Sequence, residues 1–251
     1  MLIEERYNKI LDIVEKEKYI SAEELSRRLY VSLPTIRRDL AELHRRGMLL
    51  RSRGGARQIS TEHTVMPLDF RKTQNPIAKR KLCQAAAELI RDNDIVFLDS
   101  STTLFQIVNF LTSKKSITVV TNSIPLSILL NEKGIRTFCA GGELQESSLC
   151  FAGCYTEEVL QNFNIDIMFF SSYGVSEAGM IQDVSLIESM VRKTALKCSR
   201  KTVFLCDRTK LGRTAPYNLL PLNKVDCIIT DADEDTTAIA DIAKDKLVIV
   251  Q

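Results

Sequence analysis

Apolar side chains recur at helical spacing from the start of the chain. Ile3, Tyr7, Ile10, Leu11 and Val14 fall on one face of a helix predicted over residues 3–17. Ser21-Ala22-Glu23-Glu24 reads as a capping box, in which the Ser21 hydroxyl and the Glu24 carboxylate serve amides left open at a helix start. Ala22, Leu25 and Leu29 then give a second, shorter helix, and Tyr30-Val31 makes the turn. Ser32 is the expected N-cap of a third helix, with Pro34 in its first turn, where no amide donor is needed. Ile36, Leu40 and Leu43 form its buried stripe, and Gly47 ends it. Met48-Leu49-Leu50-Arg51 and Ala56-Arg57-Gln58-Ile59 can pair across Gly54-Gly55 as a hairpin. Two short helices joined by a tight turn and followed by a hairpin predict a winged helix-turn-helix over residues 1–57.

Residues 58–75 lack periodicity and are expected to be linker, with Phe70-Arg71-Lys72 near its end. Pro76 begins a helix to about Arg91, whose apolar face carries Ile77, Leu82, Ala85, Ala86 and Leu89. Short, near-continuous apolar runs follow at 95–98, 117–120, 136–139, 167–170, 202–205, 227–230 and 247–250. Helical segments are expected between them near 102–112, 124–132, 155–163, 184–199 and 235–243. Apolar strands alternating with helices predict a largely parallel sheet covered on both faces, so residues 76–251 read as a Rossmann-like α/β domain. In such sheets small molecules bind outside the carboxyl ends of the strands.

Charge changes this picture in one region. The 34 Lys+Arg and 32 Asp+Glu nearly cancel over the whole chain. Between Thr35 and Arg57, however, Arg37, Arg38, Arg45, Arg46, Arg51, Arg53 and Arg57 face only Asp39 and Glu42. Arginine suits phosphates and guanine edges better than lysine does. Burying Ile36, Leu40 and Leu43 turns Thr35, Arg37, Arg38 and Arg45 outward or to the flanks, at the part of a recognition helix that enters a major groove. The candidate DNA-contacting residues are Ser32, Pro34, Thr35, Arg37, Arg38 and Arg45, with Arg51, Arg53 and Arg57 on the wing. A three-helix domain that binds protein instead of DNA is the competing reading.

Other classes fall away. No apolar run approaches the roughly 18 residues of a spanning helix, which argues against a membrane protein. Met1-Leu2-Ile3-Glu4-Glu5-Arg6 puts acid where a signal peptide would be basic, so a cytoplasmic location is expected. The 7 cysteines are odd in number, contain no C-x-x-C pair and lie mostly in apolar runs, which suits buried reduced thiols. Cys150-x-x-x-Cys154 lies far in sequence from His44 and His63, so neither a metal nor another cofactor is expected.

The predicted strand ends carry the remaining signal. They run Asp99-Ser100-Ser101-Thr102-Thr103, Thr121-Asn122-Ser123, Gly141-Gly142-Glu143, Ser171-Ser172-Tyr173-Gly174 and Asp207-Arg208-Thr209-Lys210. Each alone is ordinary, because such residues cap helices everywhere. Repeated in phase along one edge of one sheet, they favour a polar ligand carrying a phosphate.

The run Val31-Ser32-Leu33-Pro34-Thr35-Ile36-Arg37-Arg38-Asp39-Leu40, with Gly47 and Arg51-Ser52-Arg53-Gly54-Gly55-Ala56, resembles the N-terminal signature of the DeoR family of bacterial transcription regulators. Arg53 stands where that family usually has His. The resemblance implies a C-terminal sensor domain sharing its fold with ribose-5-phosphate isomerase and glucosamine-6-phosphate deaminase, and a phosphorylated sugar or related metabolite as effector. It carries over to Asp99, Thr102, Thr103, Thr121, Asn122, Gly141, Gly142, Asp207 and Lys210. Ser101 replaces a frequent Gly. Glu188-Ser189-Met190-Val191-Arg192-Lys193 matches an acidic-then-basic stretch, with Arg192 where Lys is common. The expected phosphate seat is Ser101, Thr102 and Thr103, with Ser100 and Gly174 nearby and positive charge from Lys210 and Arg192. Asp99, Asn122 and Asp207 are placed to read sugar hydroxyls, and Glu188 completes the candidate set.

The implied function is repression of a carbohydrate operon, relieved by the effector, by a homo-oligomer on repeated operator half-sites. The alternative is an isomerase or deaminase with an accessory DNA-binding domain. Asp99, Glu143, Glu188 and Asp207 could supply its general base, but both histidines lie in the DNA-binding region and linker.

Overall fold

The computed structural model describes residues 2–46, 48–52, 54–58, 65–232 and 244–250. The chain divides into two units, Met1–Phe70 and Arg71–Gln251. In the first, α1 (Ile3–Glu17), β1 (Tyr19–Ser21), α2 (Ala22–Leu29), α3 (Leu33–Arg45), β2 (Leu50–Ser52) and β3 (Gly55–Arg57) follow in order. The Glu24 amide donates to Ser21 Oγ at 3.1 Å, so the expected cap opens α2. Ser32 stands at the N-cap of α3 without a side-chain capping bond. Its hydroxyl lies 2.9 Å from that of Thr35 instead. Ile10, Val14, Ile20, Leu25, Ile36, Leu40, Leu43 and Leu49 form one buried cluster.

Three features of this unit depart from the sequence reading. The wing has a third strand: β1 pairs with β3, giving the order β1-β3-β2. A three-residue strand between two helices is too short for alternation to show. Gly55 lies inside β3 and not in the turn, opposite both Ser21 and Ser52. A Cβ there would meet the Ile20 carbonyl at 2.2 Å, so only glycine admits that close approach. Asp39, counted above among the groups facing the arginines, is buried. It accepts from Arg6 Nε at 2.6 Å and Nη2 at 3.0 Å, tying α3 to α1. Gly47, Arg53, His63 and the strand end at Ile59 lie outside the described residues.

The stretch expected to be linker holds a short helix, α4 (Leu68–Thr73), with Asp69 in its first turn and Arg71 and Lys72 in its last. Those charges suit the helix dipole, while six residues are too few for a period to stand out. The second unit continues with α5 (Pro76–Glu88), β4 (Ile95–Leu98), a 3-10 turn (Thr102–Ile107), α6 (Val108–Leu111), β5 (Thr118–Thr121), α7 (Ile124–Glu132) and β6 (Arg136–Cys139). Next come β7 (Glu143–Gln145), β8 (Cys150–Ala152), α8 (Cys154–Gln161), β9 (Ile165–Phe170), β10 (Gly174–Val175), β11 (Met180–Asp183) and α9 (Leu186–Lys197). The unit closes with β12 (Ser199–Cys206), β13 (Tyr217–Pro221), β14 (Cys227–Thr230) and β15 (Leu247–Ile249).

All seven predicted strands are present in one sheet of order β15-β14-β12-β9-β4-β5-β6, and every pair is parallel. Read outward from β4, the chain fills one half, returns to β9, and fills the other. That is the doubly wound order, and its switch point lies between β4 and β9. Strand residues alternate between two cores. Val96, Leu98, Val119, Phe169 and Leu205 pack with Leu82, Cys83 and Ala86 of α5. Phe97, Val120, Met168, Phe170 and Phe204 pack with Val191 and Ala195 of α9. The expected helix at 102–112 is a 3-10 turn running into α6. The helix expected at 235–243 lies outside the described residues. Two small antiparallel sheets, β7-β8 and β10-β11-β13, had no sequence signal, being short and mixed in polarity.

Cys83, Cys150, Cys206 and Cys227 are buried, as apolar runs imply, whereas Cys139 and Cys154 are exposed. Among the described residues no cluster of His, Cys, Asp and Glu could hold a metal ion. No helix there is long and apolar enough to cross a membrane.

Candidate functional site

At the head of α3, packing of Ile36 and Leu40 leaves Ser32, Pro34, Arg37 and Arg38 exposed and Thr35 half-buried. On the wing, Arg51 and Arg57 are exposed. Arg37 has one loose ion pair, Nη2 to Glu23 Oε1 at 3.5 Å. Arg45 differs from these. Its Nε and Nη2 donate to Glu42 at 2.8 and 2.6 Å, and Arg46 donates to the same carboxylate at 2.6 Å. The Arg45 and then the Arg46 hydrogen bonds pull the Glu42 carboxyl down to about 2. Arg38, Arg51 and Arg57 join no ion pair among the described residues, which leaves them ready for a polyanion.

In the second unit the strand ends beside the switch point bring Ser101, Thr102, Thr103, Ser171, Asp207 and Lys210 into one polar region. Lys210 Nζ donates to Ser171 Oγ at 2.6 Å and to Thr103 Oγ1 at 3.4 Å. Ser171 Oγ in turn donates to the Leu205 carbonyl at 2.6 Å. Lys79, from α5, is buried against the same turn. Its Nζ donates to Thr102 Oγ1 at 3.1 Å and to the Arg71 carbonyl at 2.5 Å. Burial first, then the nearby Lys210 charge, lowers Lys79 to about 8. Asp207 stays below the ordinary carboxylate range. Burial opposes its charge, but Lys210 and the Thr209 hydrogen bond outweigh it. Two buried side-chain atoms here have no partner, Ser101 Oγ and Asn122 Oδ1.

Several expected ligand contacts are spent on the protein itself. Asp99 accepts from the Ser101 amide at 2.9 Å, the Ser171 amide at 3.3 Å and Arg192 Nε at 2.8 Å. Arg192 also donates to Asp183 at 2.8 Å and lies 3.6 Å from Glu188. Burial works against the Arg192 charge, yet Asp183, Asp99 and Glu188 hold its pKa above the usual range. The Arg192 charge is therefore shared among three carboxylates, and Asp99 already accepts three hydrogen bonds from within the protein. Asp207 likewise accepts from the Thr209 hydroxyl and amide and from Asn75 Nδ2. Glu188 accepts from Ser148 Oγ at 2.8 Å, and Ser148 accepts from Arg71 Nη2 at 3.0 Å.

Most of the remaining positions make contacts within the protein. Thr121 Oγ1 accepts the Ser123 amide at 3.1 Å. Asn122 Nδ2 donates to the Phe151 carbonyl at 2.8 Å. Gly142, at φ +150, lies where a Cβ would meet Thr156 Oγ1 at 2.1 Å. At Gly174 a Cβ would meet Arg213 at 2.5 Å, whereas Gly141 has open space beside it. Ser100 is buried next to Cys150.

Two clefts flank the polar region. One, of about 310 Å³, is lined by Thr102, Lys72, Lys79, Lys133, Phe105 and Asn109, among others. The other, of about 870 Å³, is larger but reaches only Asp207 of the expected set. The smaller one matches an anion better, because Lys72, Lys79, Lys133 and Thr102 all line it. Lys79 was missed in the sequence, although a signal existed: it shares the spacing of Leu82, Cys83 and Ala86, a cation on a buried stripe. Arg71 and Ser148 had none, since a helix of six residues and a hairpin turn disclose no facing.

A winged helix-turn-helix bearing free arginines, and a doubly wound domain with cations at its switch point, define a DNA-binding transcriptional regulator with a sensor. Residues 6–62 match the DeoR-like helix-turn-helix domain, and residues 74–232 match the DeoR C terminal sensor domain. The chain belongs to the DeoR family. It is 33% identical over 232 residues to the HTH-type transcriptional repressor GlcR of Bacillus subtilis, covering 92% of this chain and 89% of that protein. It is 29% identical over 229 residues to the glycerol-3-phosphate regulon repressor of Escherichia coli, covering 91% and 90%. Ribose 5-phosphate isomerase A from Methanocaldococcus jannaschii superposes with a TM-score of 0.42 at 17% identity, over 55% of each chain.

Proposed function

We propose that this protein is a cytoplasmic repressor of a carbohydrate-metabolism operon, acting as a homo-oligomer, whose hold on operator DNA is released by a phosphorylated sugar or related metabolite. The carrying observation is that Lys79 and Lys210 sit among hydroxyls and a carbonyl, without an ion-pair partner among the described residues. Lys79 is buried and Lys210 half-buried, and Asp207 is the carboxylate whose charge reaches both. Two cations against one carboxylate leave positive charge in excess there, which a phosphate would offset. The regulons named for relatives, glycerol 3-phosphate among them, favour the same ligand chemistry.

The site also suggests how binding is felt. Lys79 and Thr102 both donate to the Arg71 carbonyl in the last turn of α4. A phosphate that draws these two donors toward itself loosens their grip on α4. The isomerase alternative is weaker, because Asp99 and Glu188 are engaged by Arg192, and Asp207 by Thr209 and Asn75. Glu143, the fourth candidate, is exposed on β7 and is not among the residues hydrogen-bonded around Lys79 and Lys210.

A thermal-shift panel of pentose, hexose and triose phosphates, with the free sugars as controls, tests the reading. A ligand selective for the folded state raises the melting temperature by mass action. One phosphorylated compound should do so and its unphosphorylated parent should not. Turnover of any of these compounds would favour the enzyme instead.

A further inference from the structure

The geometry points to the outer face of α8 and α9 as the surface through which two copies of this chain pair about a two-fold axis. This locates the homo-oligomer of the preceding section and rests on it. The two helices lie side by side and run the same way. Gly153 at the head of α8 lies beside Ile187 at the head of α9, and further along Thr194 Oγ1 donates to Glu157 at 2.8 Å. Their outward faces therefore form one surface.

That surface is apolar where a lone molecule should be polar. Tyr155 is 71% exposed and Val159 36% on α8, and Leu186 is 51% and Met190 42% exposed on α9. Each pair is spaced four apart, so each helix carries a short apolar stripe facing solvent. β8 packs against both helices, and the neighbouring hairpin adds exposed Leu144 and Leu149. Aromatic and Met side chains are the types enriched in interface centres.

Charge says what covers it. The exposed ionisable group on α8 is acidic, Glu158, and that on α9 is basic, Lys197. Neither joins an ion pair among the described residues. In a two-fold interface residue i meets j of the partner and j meets i. Setting α8 of one copy on α9 of the other joins Glu158 to Lys197 twice and lays stripe on stripe. An outward acid on one helix beside an outward base on the next is complementary to itself, which an unrelated partner would have to match by coincidence. Two paired copies also present two helix-turn-helix units, as two half-sites require.

Sedimentation velocity on the full chain tests this. The wild type should sediment at no less than twice the 28.3 kDa chain mass. Glu158→Lys and Lys197→Glu should each weaken association about tenfold, and the chain carrying both should regain wild-type association, as should an equimolar mixture of the two single variants. Tyr155→Glu with Met190→Glu should give monomers whose circular dichroism is unchanged. If that variant does not fold, the charge-swap set still decides. A monomeric wild type would overturn the homo-oligomer reading together with this surface. An oligomeric wild type indifferent to all these changes would overturn the surface alone and direct attention to the open edge of β6.

Discussion

At the head of α3 the arginines stand in water, whereas in the sensor unit Arg192 and Lys79 are buried. The two buried cations are themselves handled differently. Arg192 meets three carboxylates, while Lys79 meets a hydroxyl and a carbonyl. An exposed arginine keeps its hydration until DNA arrives, so it costs the free protein little. A buried cation with full partners holds the fold together, and one without them destabilises the free state and strengthens the bound one. The three arrangements suit reading DNA, framing the switch point and sensing an anion.

The largest effect is expected where the frame breaks. Arg192→Ala leaves Asp99, Asp183 and Glu188 facing one another without their shared cation. Removing one partner of a buried ion pair costs about 3–5 kcal/mol, so chemical denaturation should show a marked loss in the sensor unit. An unchanged midpoint would mean that Arg192 frames nothing.

Lys79→Met should act in the opposite direction on the free protein. Its pKa in the fold, about 8, lies below the ordinary lysine value of 10.5. Below pH 8 both folded and unfolded chains carry the charge, and the folded state bears the whole penalty. Between about 8 and 10.5 the unfolded chain binds more protons, so stability rises with pH across that window. The gap corresponds to about 3 kcal/mol at most. At pH 7 the Met variant should melt higher than wild type, lose the rise above pH 8, and no longer respond to a phosphorylated ligand. A lower melting point with intact ligand response would reverse the assignment.

Thr102→Ala with Thr103→Ala sharpens the same comparison without touching a charge. Lost hydrogen bonds to a charged group cost about 1.5–3 kcal/mol each, so ligand affinity should fall by two orders of magnitude or more while DNA binding stays. In the reading head, Arg38→Ala should weaken operator binding by about 1–3 kcal/mol if it contacts a base. The smallest effect is expected from Arg45→Ala, because Glu42 already engages that guanidinium. Fluorescence anisotropy on one operator fragment ranks the two, and a larger loss from Arg45 would contradict the pairing.

The sheet was legible because buried parallel strands are written as apolar runs, and the three helices of the reading head because their stripes and caps are local. The site was legible only as a set of strand ends. Periodicity finds which residues end a strand, but it cannot show where a side chain's hydrogen bonds go. Asp99 and Lys210 look alike in the sequence as polar residues after apolar strands, yet one is enclosed by three donors and the other reaches across to Thr103. Arg71 and Ser148 became visible only once the chain had brought positions far apart in sequence together.

The central claim is that an anion at Lys79, Thr102, Thr103 and Lys210 governs the hold on DNA. Its most direct test is anisotropy of the full chain on an operator selected from genomic fragments, titrated with sugar phosphates, their free sugars and inorganic phosphate. The account predicts that one sugar phosphate releases the wild-type protein, that its free sugar does not, and that Lys79→Met stays bound throughout. Release of the Lys79→Met protein at the wild-type ligand concentration would contradict it.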